Sequence, residues 1–112
     1  MSSALRGVEV LLQPLLTTTG NGHPVAVNHV ATNHNVCIKG VGTTSGGTIS
    51  IEEASDPDYT GDWSVIQAVN ASDVTSDAQK VIHIVGLIRA IRARVSSDIT
   101  GGGSISVGLV SY

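Results

Sequence analysis

Short runs in which β-branched residues alternate with polar ones recur along this chain, and a period of two is the signature of strands that turn one face to a core. Ile49 and Ile51 alternate with Thr48, Ser50 and Glu52, while Ile105, Val107 and Leu109 alternate with Ser104, Ser106 and Gly108. Each run predicts a strand with one wet face. The same period passes through Val25 and Val27, through Val36 and Ile38, and through Trp63, Val65 and Val69. In the last of these Ile66 and Ala68 make both sides apolar, which predicts a central strand. Val, Ile and Thr together supply 35 of 112 residues, whereas Lys, Glu, Gln and Met, which favour helices, are scarce.

Gly, Asn, Asp, Ser and Thr cluster between these runs, at 17–22, 31–35, 42–47, 55–61, 70–77 and 96–103, and read as turns and loops. About eight strands follow. The segment 79–95 is contested, because Leu87, Ile88, Ile91 and Val95 also fall on one face at helical spacing. Two strands are the better reading: Val81, Ile82, Ile84 and Val85 form a dense β-branched run, and Gly86 interrupts any helix at its centre. Arg92 and Arg94 then share one face, and Arg89 shares the other with Ile91 and Val95. Short strands without a crossover helix predict an all-β chain, an antiparallel β-sandwich of the jelly-roll kind with two four-stranded sheets. It should form a single domain over 1–112, with residues 1–7 as an N-terminal arm able to pair with a neighbour.

Nine acidic against six basic residues give a net charge of −3, the wrong sign for a domain whose affinity comes from neutralising phosphates. Nucleic acid is therefore not an expected partner. The apolar run 8–16 is interrupted by Glu9, Gln13 and Pro14 and has no basic stretch before it. It predicts neither a signal peptide nor a membrane anchor. Cys37 is the single cysteine, so no internal disulfide is expected, consistent with folding in a reducing cytosol.

Candidate chemistry is sparse. Asp56, Asp58, Thr60, Gly61 and Asp62 place oxygen side chains and a glycine as in the first half of an EF-hand loop, but Gln67 stands where a bidentate Glu belongs. A solvated acidic loop is the expectation. His23, His29, His34 and Cys37 carry metal-ligand chemistry at a spacing unlike a metal knuckle, and Cys37, between Val36 and Ile38, reads as a small buried residue. His83 reads as a hydrogen-bonded core or face histidine, and Gly101-Gly102-Gly103 as a flexible hairpin turn, since no lysine or helix start follows. No cofactor, metal site or catalytic residue is expected. Arg89, Arg92 and Arg94 form the basic cluster, and with Arg6 and Trp63 they are the candidates for a protein–protein interface. Tyr59, Trp63 and the acidic loop also motivate a carbohydrate-binding alternative, and the histidines with Cys37 a metal-dependent hydrolase.

Asp62-Trp63-Ser64 entering a strand, Lys80-Val81-Ile82, the run from Ile88 to Val95 and Thr100-Gly101-Gly102-Gly103-Ser104-Ile105-Ser106-Val107 resemble small β-sandwich structural proteins of tailed-bacteriophage virions. The likeness covers about half the chain and includes no catalytic motif. It implies a capsid decoration or cement protein that stabilises the shell, bound to the major capsid protein or another virion protein. It also implies a homo-oligomer, a trimer in the first instance, assembled in the host bacterial cytoplasm. A tail, neck or fibre component is the alternative within that group.

Overall fold

The computed structural model describes residues 9–12, 17–27 and 30–112. The expected N-terminal arm, with Arg6, and His29 lie outside the described residues. Among the described residues nine strands form: β1 (Glu9–Leu12), β2 (Gly20–Asn21), β3 (Val25–Ala26), β4 (Asn33–Val41), β5 (Gly46–Ala54), β6 (Ser64–Asn70), β7 (Gln79–Val85), β8 (Ala90–Thr100) and β9 (Ser104–Ser111). A 3-10 turn, Ala71–Val74, joins β6 to β7. All pairings are antiparallel, in a four-stranded sheet ordered β1-β9-β4-β7 and a five-stranded sheet ordered β2-β8-β5-β6, with β3 also on β8. No helix among the described residues is long and apolar enough to cross a membrane.

Strand order carries the winding. Asn21 stands opposite Arg94 and Val25 opposite Ile91, so β2 and β3 are successive pieces of one position beside β8. Counted so, eight positions remain, and every connection except β5 to β6 passes from one sheet to the other. That is the path of a jelly roll. The core between the sheets is filled from alternate positions: Val36 and Ile38 on β4, Ile105, Val107 and Leu109 on β9, Ile49 and Ile51 on β5, Ile91, Ala93 and Val95 on β8.

Several sequence expectations are corrected. The segment 79–95 does form two strands, but Arg89 precedes β8 in an exposed bend and shares no face with Ile91. β6 is an edge strand, not a central one. Val69 stands opposite Ile49, the register slips between Ile51 and Glu52, and beyond the slip Val65 stands opposite Glu52. Ile66 reaches the core while Val65 is 58% exposed. The two-sided apolarity thus records a bulge that flips the alternation, not coverage on both sides. β4 begins inside the loop expected at 31–35, and Cys37 is half-buried on its outer face, its thiol 3.7 Å from Gln79 Oε1.

β8 also continues through the loop expected at 96–103, as far as Thr100. Its polar residues find partners there: the Ser96 and Thr48 hydroxyls lie 2.6 Å apart, Ile99 N–H donates to Thr17 O at 2.7 Å, and Thr19 caps Asp98. The triglycine is not a hairpin turn, because β8 and β9 belong to different sheets. Gly101 and Gly102 take φ of 108° and 92° and lead the chain across, alongside the β4–β5 crossover. Gly103 N–H donates to Thr43 O at 2.7 Å, and a Cβ at Gly103 would strike the carbonyl oxygens of Val41 and Thr43. Only glycine lets the two crossovers pass so closely.

Two predictions follow from these contacts. A Cβ at Gly40 would overlap the carbonyl of buried Val74 in the 3-10 turn, so Gly40→Ala should cost about 2 kcal/mol, read as a lower urea midpoint at unchanged slope. Asp98 accepts from the Thr19 backbone N–H at 2.7 Å and from its hydroxyl at 2.8 Å. These bonds, the backbone one first, hold its carboxyl below the ordinary aspartate value. A depressed folded value stabilises the fold above the unfolded pKa, and that stability is lost as pH falls through the folded one. The melting-temperature gap between the native chain and Asp98→Asn should therefore be present at neutral pH and close as pH falls below about 4.

Candidate functional site

Alternation along β8 sends Ala93 and Val95 inward and Arg92 and Arg94 outward, onto the outer face of the five-stranded sheet. Across the sheet Arg92 stands opposite Glu52, and Arg94 opposite Ser50 on one side and Asn21 on the other. The β5–β6 connection then folds over that face. Asp56 Oδ1 accepts from Asp58 N–H at 2.9 Å and Asp56 O from Tyr59 N–H at 3.2 Å, a turn that spends the acidic loop's first carboxylate on its own backbone. The turn presents Tyr59 O to Trp63 Nε1, which donates at 3.0 Å. Trp63 ends 7% exposed, just before β6 begins.

Arg92 joins these pieces. Its Nε donates to Glu52 Oε1 at 2.8 Å, and its guanidinium carbon lies 4.4 Å from the centroid of the Trp63 ring. A charge-assisted bond and a cation–π contact share one side chain. The roof they make explains why β5 lacks the wet face its sequence pattern predicts: Ser50 and Glu52 are each only 5% exposed. Beside the roof lies an open recess of about 420 Å³ lined by Asn21, Glu52, Gly61, Asp62, Arg92 and Arg94, with Trp63 in its wall. Among the described residues Arg94 forms no ion pair. Its lining offers a guanidinium, a carboxylate and an amide, groups suited to a polar side chain or main chain of a partner.

Of the five interface candidates, Arg92, Arg94 and Trp63 converge on this recess, Arg89 stays apart in the β7–β8 bend, and Arg6 lies outside the described residues. Asp62 was singled out only as part of the acidic loop, and Glu52 and Asn21 were not anticipated as site residues. Their only sequence signal is that Glu52 and Arg92 each sit on a polar strand face, and register alone decides that they meet. The Trp63 ring, covered by Arg92 and almost wholly buried, offers no open stacking face for a sugar.

The histidine and cysteine set is divided by the strands. His34 points inward with Val36 and Ile38, Cys37 points outward, and His23 is exposed in the β2–β3 link. Among the described residues no group of three or more His, Cys, Asp or Glu side chains could hold a metal ion. His34, fully buried, is a tie between elements. Its Nε2 donates to Gly86 O at 2.8 Å, and its Nδ1 lies 2.8 Å from the Ser111 hydroxyl. His83 is exposed on the outer face of the four-stranded sheet, opposite Asn35.

Compared with known proteins, the sequence matches no family model and no curated protein.

Removing Arg92 strands the Glu52 carboxylate under its roof. Arg92→Ala should destabilise the fold by about 3 kcal/mol in denaturant unfolding and shift Trp63 fluorescence to the red, while Glu52→Leu/Arg92→Met should cost less than the single change.

Proposed function

We propose that this chain is a structural protein of a tailed-bacteriophage virion, a capsid decoration or cement protein that works by burying surface against neighbouring subunits rather than by chemistry. The observation that carries this reading is the contrast between the closed outer face of the five-stranded sheet and the open rim where both sheets end. The five-stranded sheet has its outer face closed by its own Trp63–Arg92–Glu52 contact. The rim formed by edge strands β6 and β7 instead exposes Val65, Val81 and Val85, and Leu87 is exposed in the bend that follows β7. Exposed aliphatic residues grouped along a sheet edge are surface a monomer has no use for, and they suit assembly. The jelly roll itself is the architecture of many capsid domains, a likeness of fold that supports the reading only by analogy. The likeness of the C-terminal segments to small virion proteins points the same way.

In this role the partners are the major capsid protein or another virion protein, together with further copies of the chain. The recess beside Arg94 and Asp62 supplies a polar contact, and the apolar rim supplies the buried area. Purified particles of the encoding phage should contain the chain in copy numbers comparable with the shell subunit by quantitative mass spectrometry. Its absence from them overturns the proposal, and antibody labelling confined to the tail would replace the shell assignment with a tail, neck or fibre one.

A further inference from the structure

β7 closes one end of the four-stranded sheet, and among the described residues no strand pairs with its outer side. Which backbone groups face that side follows from the bonds flanking the β4–β7 pair. Gly86 N–H donates to Thr32 O at 2.8 Å and Gly40 N–H to Ala78 O at 3.1 Å, both in the register that sets Asn33 opposite Val85. Bonded and non-bonded pairs alternate in an antiparallel ladder. Lys80, Ile82 and Ile84 therefore turn their N–H and C=O toward β4, and Gln79, Val81, His83 and Val85 turn theirs outward. The two bonds between Asn33 and Tyr112, each 2.9 Å, fix the complementary alternation on the β9 side of β4.

The residues with outward backbone are also those with exposed side chains: Val81 is 47% exposed, Val85 80%, and His83 lies open between them. The edge is unusually bare. β6, the other edge at this rim, is broken by a bulge, whereas β7 pairs with β4 without a register shift and carries one charged residue, Lys80. Bulges and charges are the usual protection of an edge against a further strand. Moreover, Val81-Ile82-His83-Ile84-Val85 reads the same in both directions about His83. That property is what an isologous contact requires, since the residue before the axis must suit the residue equally far beyond it.

We propose that β7 is a dimer interface, pairing antiparallel with β7 of a second copy about a two-fold axis at His83. Val81 meets Val85 of the second copy, Val85 meets Val81, and the two His83 residues face one another. Each of these pairs is of the bonded kind and exchanges two main-chain hydrogen bonds, because all three residues turn their backbone outward. Two four-stranded sheets become one continuous sheet, with the valines of both copies side by side on its outer face. The contact draws on Val81 and Val85, which also support the virion reading, but it holds or fails without that reading, and it is two-fold where the resemblance to virion proteins implies a trimer.

Sedimentation and amide hydrogen exchange on the full chain test it. At about 0.1 mM the chain should sediment as a dimer, with the Val81, His83 and Val85 amides exchanging slowly, then faster on dilution as the dimer dissociates. His83→Pro removes an outward N–H that β4 does not use, so the strand persists and the dimer is lost. Val85→Lys should weaken association by about tenfold or more. A chain that is monomeric at that concentration, one that sediments as a trimer, or a dimer whose three amides exchange as fast as in a monomer overturns the proposal. The exchange measurement decides the matter even where a variant folds poorly.

Discussion

The antiparallel register between β5 and β8 is the constraint on which the rest of the molecule depends. It sets Ile49 opposite Val95 and Ile51 opposite Ala93 on the core side, and on the other side it sets Glu52 opposite Arg92 and Ser50 opposite Arg94. A slip of one residue would turn the isoleucines to solvent and the carboxylate into the core. The same pairing therefore holds the apolar interior and assembles the Glu52–Arg92 ion pair of the outer face. Trp63 can cover that face only because Arg92, held by Glu52, offers it a flat cation to lie against.

From that central pair the jelly-roll path follows with few options. Six of the connections cross between sheets, and where two of them run side by side, near Thr43 and Gly103, bare backbone is needed for both to fit. The sheets end at β1 and β2 on one side and at β6 and β7 on the other, and it is the β6–β7 rim that exposes Val65, Val81 and Val85. One edge is bent by its bulge; the other is straight, apolar and open. The fold is thus asymmetric in a way that matters for assembly. One broad face is satisfied within the chain, and the rim is satisfied only by something outside it.

Much of this architecture was legible. Alternation located the cores of β4, β5, β8 and β9 because each buries one face, and the β-branched run around Ile82 decided strand over helix for 79–95 against a competing helical spacing. Legibility failed where alternation was broken or compensated. The bulge in β6 made an edge look central, and Ser96, Asp98 and Thr100 looked like a loop because their hydrogen-bond partners, Thr48, Thr19 and Ser45 respectively, are distant in sequence. Trp63, Arg92 and Arg94 were recognisable as surface features. Glu52 was not, since an acidic residue on a polar strand face reads as solvent-exposed until a cation and an indole cover it.

The sequence by itself determined that this chain is all-β, where its strands have their cores, and that its interior is aliphatic, because period-two burial is a local property that each segment declares alone. It also determined the palindrome about His83. Tertiary structure alone decided which strands neighbour one another, that β6 is an edge and not a central strand, that Arg92 is spent internally while Arg94 is not, and that the palindrome lies on an open edge with its backbone turned outward. Those outcomes depend on pairing between residues far apart along the chain, and register between distant strands is set by the sum of many weak cross-strand contacts that no single segment encodes.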